Sequence, residues 1–136
     1  MSSSEPPAAV KPRAIVIGHG DFAAGMLSAV HKITGRGGAL LALSGQDLSL
    51  AQIEQSLRDN LRESGVVVVF TDLQAGSASM AARKALRDQP QVILVAGVNL
   101  PMLLDFVLST ASTPLEAARH AAERGRNAIV VHGGAA

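Results

Sequence analysis

Short apolar runs that alternate with amphipathic stretches restrict this chain more than any other feature. RAIVIG (13–18), ALLAL (39–43), VVVVFTD (66–72) and QVILVAG (91–97) carry apolar residues at consecutive positions, not at every second one. Such runs suit strands covered on both faces, as in a parallel sheet flanked by helices. The third is the clearest, because the branched side chains of Val66 to Val69 favour a pleated surface.

The intervening stretches read as helices. Phe22, Leu27, Val30 and Ile33 recur at roughly helical spacing within 21–35, and the pattern stops at GRGG. Ser49 and Gln52 form a capping box ahead of a helix that ends at Gly65. QAGSASMAARKALRD (74–88) is a glycine turn followed by a helix, and Pro101 suits the first turn of the next. Thr113, Pro114 and Glu116 combine a second capping box with an early proline and open a helix to Gly125, after which NAIVVH (127–132) reads as a closing strand. The order predicts an α/β fold: an open, mainly parallel four-stranded sheet, order 2-1-3-4, with helices on both faces and a short C-terminal strand. Residues 13–136 are expected to form one domain, behind a flexible N-terminal tail, MSSSEPPAAVKP (1–12).

Composition removes several functions. The 12 basic and 11 acidic residues are scattered, the net charge is +1, and the only aromatics are three Phe, so no basic stripe with interleaved aromatics marks a nucleic-acid surface. The absence of cysteine excludes thiol catalysis, disulfides and Cys-based zinc sites. The longest apolar stretch, 92–108, is broken by Asn99, Pro101 and Asp105, so it is not a membrane span of ~20 residues. The start lacks the charged-then-apolar order of a secretory signal. A soluble, cytoplasmic protein is expected.

In open parallel sheets, ligands bind beyond the carboxyl ends of strands where the strand order reverses. VIGHGDFAAG (17–26) places His19 between Gly18 and Gly20 just after the first strand, and Asp72 follows the third. In the order 2-1-3-4 those strands are neighbours, so the two side chains meet. A carboxylate that accepts one ring N–H fixes the histidine tautomer and frees the other nitrogen as base, nucleophile or ligand. The helix beginning near Asp21 and the one fed by the turn 74–77 bring two positive dipole ends. With the amide of Gly20, the small turn residue Gly76 and the Ser77 hydroxyl, they suit an anion such as phosphate.

Rival readings stay open at this level. Spacing equally allows a loop histidine and a helix-flanking acid without a joint role. GHGDFA (18–23) fits G-x-G-x-x-A, but the acid expected at the end of strand 2 is missing, since Asp47 appears only after a Ser-Gly-Gln turn. No G-x-S-x-G elbow is present. His31 reads as surface or half-buried, His120 as solvated and His132 as the end of the last strand; none has metal-ligand spacing, so no metal is expected. Met26, Met80 and Met102 read as core or gap fillers.

Three segments together resemble the mannose-class enzyme IIA proteins of the bacterial sugar phosphotransferase system: IVIGHGDFAAGML, VVFTDLQAGSAS and VILVAGVNLPMLLDF. The resemblance runs over roughly residues 13 to 131. It implies that His19 accepts a phosphoryl group on Nε2 from the histidine-containing phosphocarrier protein and passes it to an enzyme IIB partner. It also implies that Asp72 orients the imidazole, and that Ser77 and nearby amides hold the phosphate oxygens. No cofactor is implied, because the partner's phosphohistidine is already activated and the protein contributes positioning and electrostatics. A homodimer is implied, with a C-terminal strand exchanged between subunits. Ala75 and Ala78 depart from the family's Gly-Gly-Ser/Thr-Pro, which bears on the shape of the second loop and on Ser77. The IIB partner is expected on another polypeptide. Two alternatives remain: a phosphotransferase subunit serving dihydroxyacetone kinase, against which Asn99-Leu100-Pro101-Met102-Leu103 argues, and a non-catalytic nucleotide- or anion-binding regulatory module.

Overall fold

Consecutive apolar residues in a strand point to alternate faces, so a run apolar throughout needs cover on both sides. The computed structural model, which describes residues 10–135, supplies that cover. Its strands are β1 (Ala14–Gly18), β2 (Leu40–Ser44), β3 (Val68–Thr71) and β4 (Ile93–Ala96). Its helices are α1 (Phe22–Thr34), α2 (Leu50–Ser64), α3 (Ser77–Leu86), α4 (Leu100–Leu108) and α5 (Pro114–Asn127), with a 3-10 turn at Gly37–Ala39. The sheet has the expected order β2-β1-β3-β4, and every pairing is parallel.

Alternation divides the core in two. Ala14, Val16, Val68 and Phe70 face α1, α4 and α5, meeting Ala23, Val30, Leu103, Phe106 and Ala121. Phe70 and Phe106 pack edge to face with centroids 5.1 Å apart. On the opposite face, Ile15, Ile17 and Val69 meet Ile53, Leu57 and Leu61 of α2 and Ala78, Ala81, Ala82 and Ala85 of α3. The alanine stripe on α3 lets that helix sit close to the sheet, which is why a chain so poor in aromatics still packs tightly.

Helix ends follow local chemistry. The box at Ser49 and Gln52 is complete, with bonds of 2.8 and 3.1 Å, and Gly65 closes α2 at φ +72°. At α5 only half of the expected box forms. Thr113 accepts from the Glu116 amide, whereas the Glu116 carboxylate accepts from the Ser112 hydroxyl. Asn99 caps α4 by accepting from the Met102 amide, and it donates to the Gly125 carbonyl at 2.9 Å.

The expected C-terminal strand is a correction. Helix α5 runs to Asn127, past Gly125, and residues 128–135 form no strand. Ile129, Val130 and Val131 are exposed instead. An apolar run becomes a strand only against a partner, and among the described residues none lies beside this one. Of the expected N-terminal tail, residues 1–9 lie outside the described part, and Val10, Lys11 and Pro12 are exposed without regular structure.

Candidate functional site

The parallel register decides what meets at the carboxyl edge of the sheet. Ile17 of β1 lies opposite Thr71 of β3, so the next residues outward include His19 and Asp72. They are joined twice. Asp72 Oδ2 accepts from the His19 backbone amide at 2.8 Å and from His19 Nδ1 at 2.7 Å. The carboxylate is mostly covered, at 10% side-chain exposure, whereas the imidazole is 56% exposed. The acid is therefore a fixed support and the ring is presented to solvent.

Burial pushes the Asp72 carboxyl up, but hydrogen bonds from the His19 amide and imidazole, the imidazole's charge and the Leu73 amide outweigh it. The group is held below the usual carboxylate range. A carboxylate on Nδ1 selects the tautomer in which Nε2 keeps its lone pair.

Glycines make room for this pairing. A Cβ at Gly18 would lie 2.9 Å from Asp72 Cγ and 2.8 Å from Phe22 Cδ2, so only glycine admits the carboxylate there. Gly20 turns the chain at φ +50°, and the Phe22 amide donates to the His19 carbonyl at 3.0 Å. Gly76 has φ +137°, and a Cβ on it would meet His19 Cε1 at 3.2 Å and Nε2 at 3.9 Å. The start of α3, at Ser77, thus lies against the imidazole, while α1 starts three residues after it at Phe22. Two helix N-termini flank one exposed ring, an arrangement suited to an anion. Ser77 is exposed in the first turn of α3.

A buried hydroxyl pair shapes the second loop, and sequence reading missed it. Thr71 and Ser79 are 0% and 1% exposed, their hydroxyls are 2.7 Å apart, and both bond the Leu73 carbonyl. Arg83 holds the Gln74 carbonyl at 2.7 Å. These bonds define the loop where Ala75 and Ala78 depart from the family pattern. Ala78 itself is buried against the sheet. The only trace in the sequence is Ser79 breaking the alanine stripe of α3.

The other histidines are apart from this site. His31 Nδ1 accepts from the Gly37 amide at 3.2 Å and so shapes the turn before β2. His120 is exposed, as expected, but it is not free: its Nδ1 pairs with Asp105 Oδ2 at 2.8 Å. His132 lies in the exposed segment after α5. Met102 is buried and Met26 half-buried, whereas Met80 is 50% exposed and fills no gap. Among the described residues, no group of three or more His, Asp or Glu is placed to hold a metal ion. None of their helices is long and apolar enough to cross a membrane.

Residues 13–123 match the family EIIA-man, PTS system fructose IIA component. Among solved structures, the chain is similar to a mannose/sorbose specific IIA subunit of the phosphotransferase system from Enterococcus faecalis. The identity is 28%, the TM-score 0.78, and the match covers 93% of this chain and 98% of that one. It also shares its fold with a phosphotransferase system component EIIA from Streptococcus agalactiae, at 22% identity, TM-score 0.80 and coverage of 88% and 95%. A third, described as a putative phosphoenolpyruvate-dependent sugar phosphotransferase system permease from Klebsiella pneumoniae, is 24% identical with TM-score 0.78 and coverage of 94% and 96%. Among curated proteins none matches significantly.

Proposed function

This chain belongs to the EIIA-man family of phosphotransferase-system IIA components, and from that premise we propose that it is a phosphohistidine carrier. It takes a phosphoryl group on His19 from the histidine-containing phosphocarrier protein and gives it to an enzyme IIB partner. The observation that carries this reading is the pair of hydrogen bonds that Asp72 Oδ2 accepts from the amide and Nδ1 of His19, which leaves an exposed ring whose Nε2 keeps its lone pair.

In the forward step, the N–P bond of the donor phosphohistidine breaks and a bond from His19 Nε2 to phosphorus forms. The Nδ1 proton stays with the Asp72 pair. Amides of the two loops at Gly20 and Gly76, the Ser77 hydroxyl and the two helix N-termini stabilise charge on the phosphoryl oxygens. Transfer to the IIB partner is the reverse chemistry on a second acceptor, and both partners place the reaction in the cytoplasm.

The reading includes a homodimer. β4 is an edge strand whose four residues are only half-buried, and a cleft of about 420 Å³ beside it is lined by Ile93, Val95, Leu115 and Arg126, among others. A strand donated by a second copy, from the exposed run Ile129–Val131, would pair that edge. Light scattering on the full chain and on a variant truncated after Ala128 tests this; a monomeric full chain contradicts it.

The carrier role is tested by incubation with phosphoenolpyruvate, enzyme I and the phosphocarrier protein, followed by intact-mass analysis. One acid-labile phosphate is expected, absent in His19→Ala and retained when His31, His120 or His132 is replaced. No gain in the unaltered chain, or retained labelling in His19→Ala, overturns the assignment.

A further inference from the structure

His120 and Arg124 are four residues apart on α5, so they share one face of that helix. Across from them, α4 presents Asp105. Its Oδ2 accepts from His120 Nδ1 at 2.8 Å, and its Oδ1 faces Arg124 Nε at 3.5 Å. Asp105 is 16% exposed, whereas His120 and Arg124 are 66% and 69% exposed. One covered carboxylate thus orients two exposed groups.

These residues line a cleft of about 760 Å³ between α4 and α5, floored by Pro101, Leu104 and Leu108. That volume falls within the range of roughly 300–1,000 Å³ typical of small-molecule sites. No residue of the loops carrying His19 and Asp72 lines it. Its chemistry has a sign. Asp105, the one carboxylate in the lining, is occupied by His120 and Arg124. Among the described residues, the terminal guanidinium nitrogens of Arg124 and Nε2 of His120 make no hydrogen bond. The guanidinium is a pure donor, so the free donors of the cleft are those of Arg124.

We infer that this cleft binds a small organic anion. Its oxyanion head, phosphate or carboxylate, sits on the Arg124 guanidinium beside the His120 ring, and its apolar body lies over Pro101, Leu104 and Leu108. The site shares no residue with the phosphoryl-transfer centre.

The test is a titration of the ¹⁵N-labelled full chain with phenyl phosphate, followed by amide chemical shifts, with benzyl alcohol as the uncharged control and benzoate as the carboxylate arm. Saturable shifts are expected at Asp105, Leu108, His120 and Arg124 with both anions and not with benzyl alcohol. Arg124→Gln weakens binding about tenfold, the loss expected for one charge-assisted hydrogen bond, and His120→Gln, which removes the ring beside the head group, weakens it less. Both side chains are largely exposed, so the variants keep the fold, which the same spectra report. Shifts confined to the loops around His19 and Gly76, no saturation with either anion, equal binding of benzyl alcohol, or undiminished affinity in both variants overturns the proposal. Saturation by only one anion supports it and identifies the head group.

Discussion

A single oxygen of Asp72 holds both ends of His19. Oδ2 accepts from the backbone amide at 2.8 Å and from Nδ1 at 2.7 Å, across 53 positions of sequence. The backbone bond fixes where the residue leaves β1, and the ring bond fixes how the imidazole is turned and which nitrogen faces outward. Neither bond forms unless the carboxylate comes close to Gly18, where a Cβ has no room.

Asp72→Asn keeps the shape of the support but removes the charge, and its amide nitrogen cannot accept from the imidazole. Phosphoryl transfer to His19 is expected to slow by about 100- to 10,000-fold, the span seen when a tautomer-fixing acid is neutralised. Rapid-quench labelling measures it. A rate equal to that of the unaltered chain would remove the orienting role.

The same carboxylate titrates below its ordinary value of 3.8. A depressed folded-state value means that the ionised group stabilises the fold above the ordinary value, and that this contribution fades as pH falls through the lower folded value. Urea denaturation at pH 7 and at about pH 3 should therefore show a larger stability gap between the unaltered chain and Asp72→Asn at pH 7. A gap that widens in acid contradicts the sign.

Gly76→Ala puts a side chain where φ is +137° and where the new Cβ meets His19 Cε1 at 3.2 Å. Strain of this kind costs about 1–3 kcal/mol, and the ring must shift by a few tenths of an ångström or the loop must withdraw. Lower stability together with slower labelling is the expected pair of results. Normal labelling with normal stability would show that the loop accommodates the methyl group and is softer than its bonds suggest.

Ser79→Ala leaves the Thr71 hydroxyl with the Leu73 carbonyl and removes a buried partner, at a cost of about 1–3 kcal/mol. Thr71→Val acts on the same bonds, so the double variant should cost less than the sum of the two single ones. Additive losses in a thermal or urea series would mean that the two hydroxyls do not act as a unit.

The sheet was legible because β1 and β3 carry unbroken apolar runs, Ala14 to Ile17 and Val68 to Phe70, and such strands have few places to go other than the middle of a parallel sheet. Once they are neighbours, His19 and Asp72 meet because each lies within two residues of the carboxyl end of its apolar run, which is why the sequence alone brings the pair together. The run Ile129–Val131 carries the same signal, yet it forms no strand, because strand formation depends on a pairing edge that a residue string does not specify. The Thr71–Ser79 and Asp105–His120 pairs were hidden for a related reason. Each joins two elements whose relative rotation is set by packing, and neither has a recurrent spacing to search for.

The strand order has a last consequence, in how the molecule comes apart. His19 and Asp72 are mounted on β1 and β3, the two inner strands, both buried along their full length, whereas β4 is half-covered and the segment after α5 lies open. Local opening starts where contacts are fewest. Amide protons of the C-terminal segment and β4 should exchange with solvent first, and those of Ile15 to Ile17 and Val69 to Thr71 only when the whole chain unfolds. On warming, that edge loosens while the imidazole is still clamped, so the His19–Asp72 pair outlasts the margin of the sheet that carries it.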